Sequence, residues 1–234
     1  MTSNSSNKIG HVAIIMDGNS RWARQRSLKT IEGHKQGVNR LRDIVKYSAK
    51  SEITHLSVFA FSTENWKRSA SDVSDLMKLF LQSIIKEVPE LIENKVQLNF
   101  IGDIPRFSKS LVSQINSAMK DTQAKKPNLN LNIAISYGGR WDILNAIKRL
   151  KDQQINIDKI NEEDFSNLLS TSNFPDPDLL IRTGDEIRIS NFFLWQISYS
   201  ELYFSKLLWP DFKLSNFKSA LNKFSTRDRR FGEE

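Results

Sequence analysis

Apolar and polar positions alternate along this chain in two rhythms. Residues 9–16 form a short apolar run that ends in Asp17-Gly18-Asn19, the pattern of a buried strand closed by a turn. Residues 55–61, 96–101 and 129–135 repeat it, the second of these closed by Gly102, Asp103 and Pro105. Briefer strand-like runs fall at 179–181 and 202–204. Between the runs the apolar spacing lengthens to that of a helix. A polar helical stretch starts near Arg21, and Val38, Leu41, Ile44 and Val45 predict a helix over 37–49. Val73, Leu76, Met77, Phe80, Ile84, Ile85, Val88 and Leu91 predict a longer one with a wide apolar face. Further helices are predicted up to about Ala124, from Gly138-Gly139 through Leu150, near 165–169, and through Leu214, Phe217, Leu221 and Phe224. Strands alternating with helices predict an α/β fold, with a mainly parallel central sheet flanked by helices on both faces. The chain has 234 residues and shows neither an internal repeat nor a low-complexity linker, so one domain is expected over 9–234. Residues 1–8 are polar, rich in Ser and Asn, and lack a signal-peptide h-region, so a disordered start is expected there.

Composition narrows the partners more than the fold. Hydrophobic residues make up 39% and charged residues 26%, the balance of an ordinary globular protein, which argues against wholesale disorder. A formal net charge of +7 favours an anionic partner: nucleic acid, an anionic membrane or a diphosphate. Cysteine is absent, which excludes disulfides, thiolate zinc sites and a cysteine nucleophile and fits a reducing cytoplasm. No apolar run approaches a membrane span; Phe192-Phe193-Leu194-Trp195 is far too short. A cytoplasmic chain is expected, peripheral to a membrane at most.

Candidate chemistry gathers where the apolar runs end. Asp17-Gly18-Asn19-Ser20-Arg21-Trp22 places an acid, a flexible glycine and a helix start at the end of a strand. That suits a diphosphate, with Asp17 holding Mg²⁺, Arg21 clamping the anion and free N–H groups meeting its oxygens. Taken alone, so short a segment reads as well as a turn with Asp17 capping a helix. His34 follows Gly33 beside Lys29 and Lys35, either as a donor to a phosphate or as a structural histidine. Ser62-Thr63-Glu64-Asn65-Trp66-Lys67-Arg68 is either a substrate-facing loop or a capped turn with Trp66 in the core. Arg182 and Arg188 flank Gly184 ahead of Ser190, a second anion site or a set of surface ion pairs. Glu201 stands in an apolar and aromatic stretch, as a metal ligand or a sheet-edge charge. Met77, Phe80, Ile84, Ile85, Ile101, Ile133 and Ile135 form a core or wall a hydrocarbon cavity.

Six segments in order carry a resemblance: His-Val-Ala-Ile-Ile-Met-Asp-Gly-Asn, Gly-His-Lys-Gln-Gly, Phe-Ser-Thr-Glu-Asn-Trp, Tyr-Gly-Gly-Arg-Trp-Asp, Pro-Asp-Pro-Asp-Leu-Leu-Ile-Arg-Thr and Arg-Ile-Ser-Asn-Phe-Phe-Leu-Trp-Gln. Together they resemble the cis-prenyltransferases, most closely the bacterial undecaprenyl diphosphate synthases, over residues 9–232. The resemblance implies a homodimer with an apolar tunnel and an Mg²⁺-dependent transferase. Its reaction would add isopentenyl diphosphate units in cis to an allylic starter, farnesyl diphosphate. The implied product is undecaprenyl diphosphate, precursor of the lipid carrier for cell-wall glycans. The resemblance assigns Asp17 to Mg²⁺ binding and catalysis, and Gly18, Asn19, Ser20, Arg21, Trp22, Thr30 and His34 to the starter. Ser62, Thr63, Glu64, Trp66 and Arg68 line the same region, and Asn65 matches a position described as the proton acceptor. A neutral carboxamide is a very weak base, so Asn65 is expected to orient the substrate while the departing diphosphate or Asp17 takes the proton. Arg182, Arg188, Ile189 and Ser190 match the isopentenyl diphosphate site, Glu201 a second magnesium-linked acid, and Leu129 a large residue at the tunnel end. Arg230-Phe231-Gly232 resembles a terminal Arg-x-Gly that completes the partner subunit's site.

The chain departs from that pattern at several positions. Thr30 stands where an arginine usually binds the starter diphosphate, leaving either Lys29 as its substitute or a weaker starter site. Ser20 replaces a Gly or Arg, Ser69 a Pro, Ser136 an Asn and Ile187 a His. Two other readings are a non-catalytic partner subunit of the same fold and a nucleic-acid-binding module. Retention of Asp17, His34, Arg188 and the Arg-x-Gly end opposes the first. The second rests on charge alone, without a binding motif.

Overall fold

The computed structural model describes residues 8–226; apart from Lys8, the expected disordered start lies outside them, as do Arg230 and Gly232. The described strands are β1 (His11–Ile15), β2 (His55–Ser62), β3 (Val96–Ile101), β4 (Leu129–Tyr137), β5 (Leu179–Arg182) and β6 (Glu201–Phe204). The helices are α1 (Asn19–Gln25), α2 (Thr30–Ser48), α3 (Ala70–Glu93), α4 (Lys109–Asp121), α5 (Gly139–Asp152), α6 (Glu162–Ser166) and α7 (Leu214–Ser225). All six strands join one sheet in the order β3-β4-β2-β1-β5-β6, and every neighbouring pair is parallel.

β1 shows why the apolar runs did not alternate with polar residues. Val12 and Ile14 enter the core beneath α2, α3, α4 and α7, while Ala13 and Ile15 enter a second core with Tyr137, Phe192 and Phe193. A strand buried on both faces has no solvent side, and each large apolar side chain so buried contributes roughly 1.5–3 kcal/mol. From β1 the chain moves outward to β2, β3 and β4, then crosses back to place β5 on the other side of β1. The carboxyl ends of β1 and β5 therefore flank the switch point, where open parallel sheets bind ligands.

Two helices begin earlier than their apolar pattern predicts. α2 starts at Thr30 rather than 37, because its first turns meet α1 through glycines instead of large apolar side chains. A Cβ on Gly33 would stand 2.1 Å from the Asn19 carbonyl oxygen, and one on Gly37 would stand 2.4 Å from Asn19 Oδ1. α6 ends at Ser166 rather than reaching 169, and a capping box between Asn161 and Asp164 fixes its start.

A buried polar row crosses the sheet. His11 Nδ1–H donates to the Pro175 carbonyl at 2.6 Å, leaving Nε2 to accept the Ser57 hydroxyl at 2.7 Å. Asn132 donates to the Ser57 oxygen at 3.1 Å, and Asn99 donates to Asn132 at 3.0 Å. Burial drives the His11 pKa down to about 4; the neighbouring His55 acts the same way, and the bond to Pro175 opposes it.

Candidate active site

The centre of the site is a carboxylate held by a buried guanidinium. Arg182, the last residue of β5, donates from Nη2 to Asp17 Oδ2 at 2.9 Å and from Nη1 to Ser190 Oγ at 2.7 Å. Its Nη1 also donates to the Arg188 carbonyl, and its side chain is only 4% exposed. Arg21 Nη2, in the first turn of α1, lies 3.4 Å from Asp17 Oδ1, four residues earlier in the chain. Asp17 itself stays about a third exposed, so its carboxylate faces the cleft while the arginine sits behind it.

The backbone around Asp17 is set by close packing. Thr183 Oγ1 and the Trp209 N–H both donate to the Asp17 carbonyl, at 2.8 and 3.0 Å. Trp209 is fully buried and its ring N–H donates to the Gly37 carbonyl at 2.9 Å, tying the loop after β6 to α2. Gly18 takes φ +114, where a Cβ would meet the Leu208 backbone at 2.9 Å. Gly184 takes φ +95, and a Cβ there would stand 2.7 Å from Arg21 Nη2. At both positions a side chain would be strained, and at Gly184 it would also displace the Asp17–Arg21 pair.

A polar cleft of about 550 Å³ opens here, lined by Asp17, Asn19, His34, Ser62, Glu64, Asn65, Arg68 and Ser190. Recesses of about 370 and 250 Å³ adjoin it: the first carries Arg21, Arg24 and Arg188, the second Thr30 and Asp72. Met16, Asn19, His34 and Ala60 also line an apolar cavity of about 150 Å³ that runs between α2, α3 and the sheet. Of the residues expected in a core or in a cavity wall, Phe80, Ile84 and Ile133 line this cavity. Met77 packs on the core behind it, and Ile135 lies in the same core without reaching the cavity. Ile101 belongs to the opposite face, since 96, 98 and 100 take the cavity side of β3. Ile85 is 57% exposed, one step around α3 from buried Ile84, so it is a surface residue and not part of the wall.

Asn65 has its side-chain oxygen committed. Oδ1 accepts the Ser62 N–H at 3.0 Å in a capping box, which leaves the amide N–H groups to face the cleft. Asn191 donates to Glu64 at 2.9 Å and accepts the Arg140 N–H at 2.9 Å, joining this turn to the start of α5. Burial would raise the Glu64 carboxyl, and hydrogen bonds from its own backbone and from Asn191 and Ser62 more than offset this, holding it below its ordinary value. Burial, followed by the nearby Arg68 charge, lowers His34 to about 4. His34 is therefore a neutral imidazole at neutral pH, with a buried Nε2 that has no hydrogen-bond partner.

Some expected site residues stand outside the cleft. Trp22 donates to Asp211 at 2.8 Å under the Arg26 guanidinium. Trp66 packs on Phe61 and Phe107 and donates to Ser136 at 2.9 Å, so the serine at that position still anchors the ring. Ser69 caps α3, accepting from the Asp72 N–H at 3.2 Å. Thr63 sits against Gly138, and Ile189 packs into the second core. Leu129 opens β4 on the cavity side, fully buried and in register with Val96; Val96 lines the cavity and Leu129 does not. Glu201 is in register with Leu179 at the start of β6, roughly 10 Å along the sheet from the carboxyl ends. Trp209, Asn191 and Arg24 were not foreseen as site residues. Only Arg24 carried a sequence signal, three residues beyond Arg21 on one helix face.

The donor set suits a magnesium ion that arrives with its ligand. Magnesium is commonly bound by one or two carboxylates together with substrate phosphates and water. Asp17 offers one partly exposed carboxylate, and no group of three His, Cys, Asp or Glu side chains clusters among the described residues. Those residues fit Mg²⁺ shared with a diphosphate, not a closed protein cage.

A cation-rimmed cleft at a parallel-sheet switch point, continuous with an apolar cavity, suits an amphipathic anion with a charged head and a hydrocarbon tail. A family profile described as "Putative undecaprenyl diphosphate synthase" matches residues 15–232. The ditrans,polycis-undecaprenyl-diphosphate synthase ((2E,6E)-farnesyl-diphosphate specific) of Legionella pneumophila (strain Paris) is 45% identical over 227 residues, covering 95% of each chain. The enzyme of the same description from Haemophilus influenzae is 47% identical over 226 residues, covering 95% of this chain and 94% of its own. Lavandulyl diphosphate synthase from Lavandula x intermedia, solved in complex with dimethylallyl diphosphate, superposes with a TM-score of 0.92 at 37% identity, covering 97% of this chain and 99% of its own. The chain belongs to the undecaprenyl diphosphate synthase family of prenyltransferases.

Proposed function

We propose that this chain adds isopentenyl diphosphate units in cis to farnesyl diphosphate and makes undecaprenyl diphosphate. The observation that carries this reading is the continuity of the charged cleft with the apolar cavity through Met16, Asn19, His34 and Ala60. A diphosphate head and a growing hydrocarbon tail need those two environments side by side. Bound magnesium, held by Asp17, would neutralise charge on the diphosphates. Arg21, Arg68 and neutral His34 orient the starter's diphosphate as its C–O bond breaks, with cations placed where negative charge builds. Arg188 and Ser190 hold the second diphosphate beside Asp17, and Arg182 behind them positions Asp17 and Ser190. Asn65 orients substrate through its amide N–H groups, since its oxygen already accepts from Ser62. The proton lost in each condensation goes to the departing diphosphate or to Asp17. Leu129 closes the far end of the hydrocarbon path and limits product length.

The working unit in this proposal is a homodimer. β6 is an edge strand with Leu202 exposed, beside exposed Tyr199 and Leu207, and an uncovered apolar edge favours pairing with another chain. Glu201 lies too far along the sheet to share a metal with Asp17 of its own chain, so a metal role for it requires a second copy. No helix among the described residues is long and apolar enough to cross a membrane.

The test is incubation with farnesyl diphosphate, labelled isopentenyl diphosphate and Mg²⁺, followed by sizing of the dephosphorylated product. A long polyprenyl ladder is expected. Absence of any condensation product in folded protein rejects the proposal.

A further inference from the structure

We propose that Arg24 is the cation that holds the starter's diphosphate where Thr30 cannot. The inference rests on reading the cleft as a diphosphate site and follows from which of its cations are already engaged. Arg21 faces Asp17 at 3.4 Å and Glu186 at 3.9 Å, and Arg188 pairs with Glu186. Arg182 is spent on Asp17 and Ser190. Arg24 and Arg68 have no ion pair within 4.0 Å among the described residues, yet both line the two recesses that adjoin the cleft. A new anion meets them without breaking an existing pair.

Helix geometry explains why Arg24 reaches this space. Ala23 is fully buried against Gly33, where α1 crosses α2. That close crossing sets Arg24, one residue further round α1, over the first turn of α2 beside Thr30 and His34. Arg21 and Arg24, three residues apart, share a face of α1 that looks onto the recess containing Asp17. Lys29 precedes α2 as an exposed cap residue and lines neither recess. Asp72 and Asp75 balance Arg24 and Arg68 in the smaller recess, whereas Arg21, Arg24, Arg68 and Arg188 outnumber Asp17 and Glu186 in the larger one, so an anion is favoured there. Arg24 thus lines both the recess of Thr30 and the one beside Asp17, and brings a positive charge where Thr30 carries none.

The experiment separates the two substrates. KM for farnesyl diphosphate and for isopentenyl diphosphate is measured in wild type, Arg24→Ala, Arg24→Lys, Lys29→Ala and the double variant Arg24→Ala/Thr30→Arg. Calorimetric binding of farnesyl diphosphate without turnover is measured in parallel. Loss of a charged hydrogen-bonding partner is expected to weaken starter binding roughly ten- to a hundred-fold in Arg24→Ala. KM for isopentenyl diphosphate is expected to stay within about twofold, Lys29→Ala to match wild type, and Thr30→Arg to restore starter affinity. Unchanged starter affinity in folded Arg24→Ala overturns the inference, as does an equal loss for both substrates or the same loss in Lys29→Ala. A wild-type protein that neither binds farnesyl diphosphate nor forms product rejects the functional reading itself. Wild-type activity with normal Arg24→Ala rejects only the role of Arg24.

Discussion

Acid should weaken this fold through His11, and the size of the effect follows from its surroundings. The imidazole is 1% exposed, and both ring nitrogens are engaged: Nδ1–H donates to the Pro175 carbonyl and Nε2 accepts from Ser57. Protonation puts a second N–H against a hydroxyl whose oxygen already accepts from Asn132, and places a charge inside the sheet. The folded pKa is accordingly lowered from 6.5 to about 4. The sign follows directly: the unfolded chain takes up the proton first, so stability is complete above pH 6.5 and is lost as pH falls towards 4. At about 1.4 kcal/mol per pH unit the full interval is worth about 3 kcal/mol, of which about 2 kcal/mol is gone by pH 5. Urea unfolding of wild type and His11→Gln between pH 7.5 and 5 isolates this contribution, because the variant keeps polar contacts but cannot titrate. The variant is expected to be less stable at pH 7.5, with a gap that narrows by about 2 kcal/mol at pH 5. Parallel curves, or a His11 resonance titrating near 6.5, would refute the reasoning.

Three further outcomes follow from the site. Asp17→Ala is expected to abolish turnover while circular dichroism stays native, since Arg182 retains Ser190 and the Arg188 carbonyl; near-normal activity would remove Asp17 from the chemistry. Gly37→Ala places a Cβ 2.4 Å from Asn19 Oδ1 and 2.9 Å from the Trp209 ring, and a loss of roughly 1–3 kcal/mol is expected in denaturant melts. Leu129→Ala, at a fully buried position, is expected to cost roughly 2–5 kcal/mol and to lengthen the product ladder. Unchanged product lengths in the folded variant would separate Leu129 from length control.

The features of this protein that depend on local chemistry were legible along the chain. Continuous apolar runs marked the strands, because a parallel strand buried on both faces has no polar side to alternate with. Helical spacing located α3, and the turn after β1 identified Asp17 as an acid at a strand end. The ordered motifs then placed the chain among the prenyltransferases. The start of α2 was not legible, because Gly33 and Gly37 act by leaving room for Asn19 and so add nothing to an apolar pattern. Nor was the split of Ile84 from Ile85, which depends on which side of α3 meets the sheet. Tertiary structure alone decided which charges are neighbours. The switch of strand order between β1 and β5 brings Arg182 to 2.9 Å from Asp17 across 165 residues of chain. It also sets Glu201 at the far end of the sheet, because strand register, not sequence distance, fixes how deep a side chain lies. The helix crossing at Gly33 leaves Arg24 facing the recess beside Thr30: the spacing from Arg21 is legible along one helix, but the recess that this face meets is not.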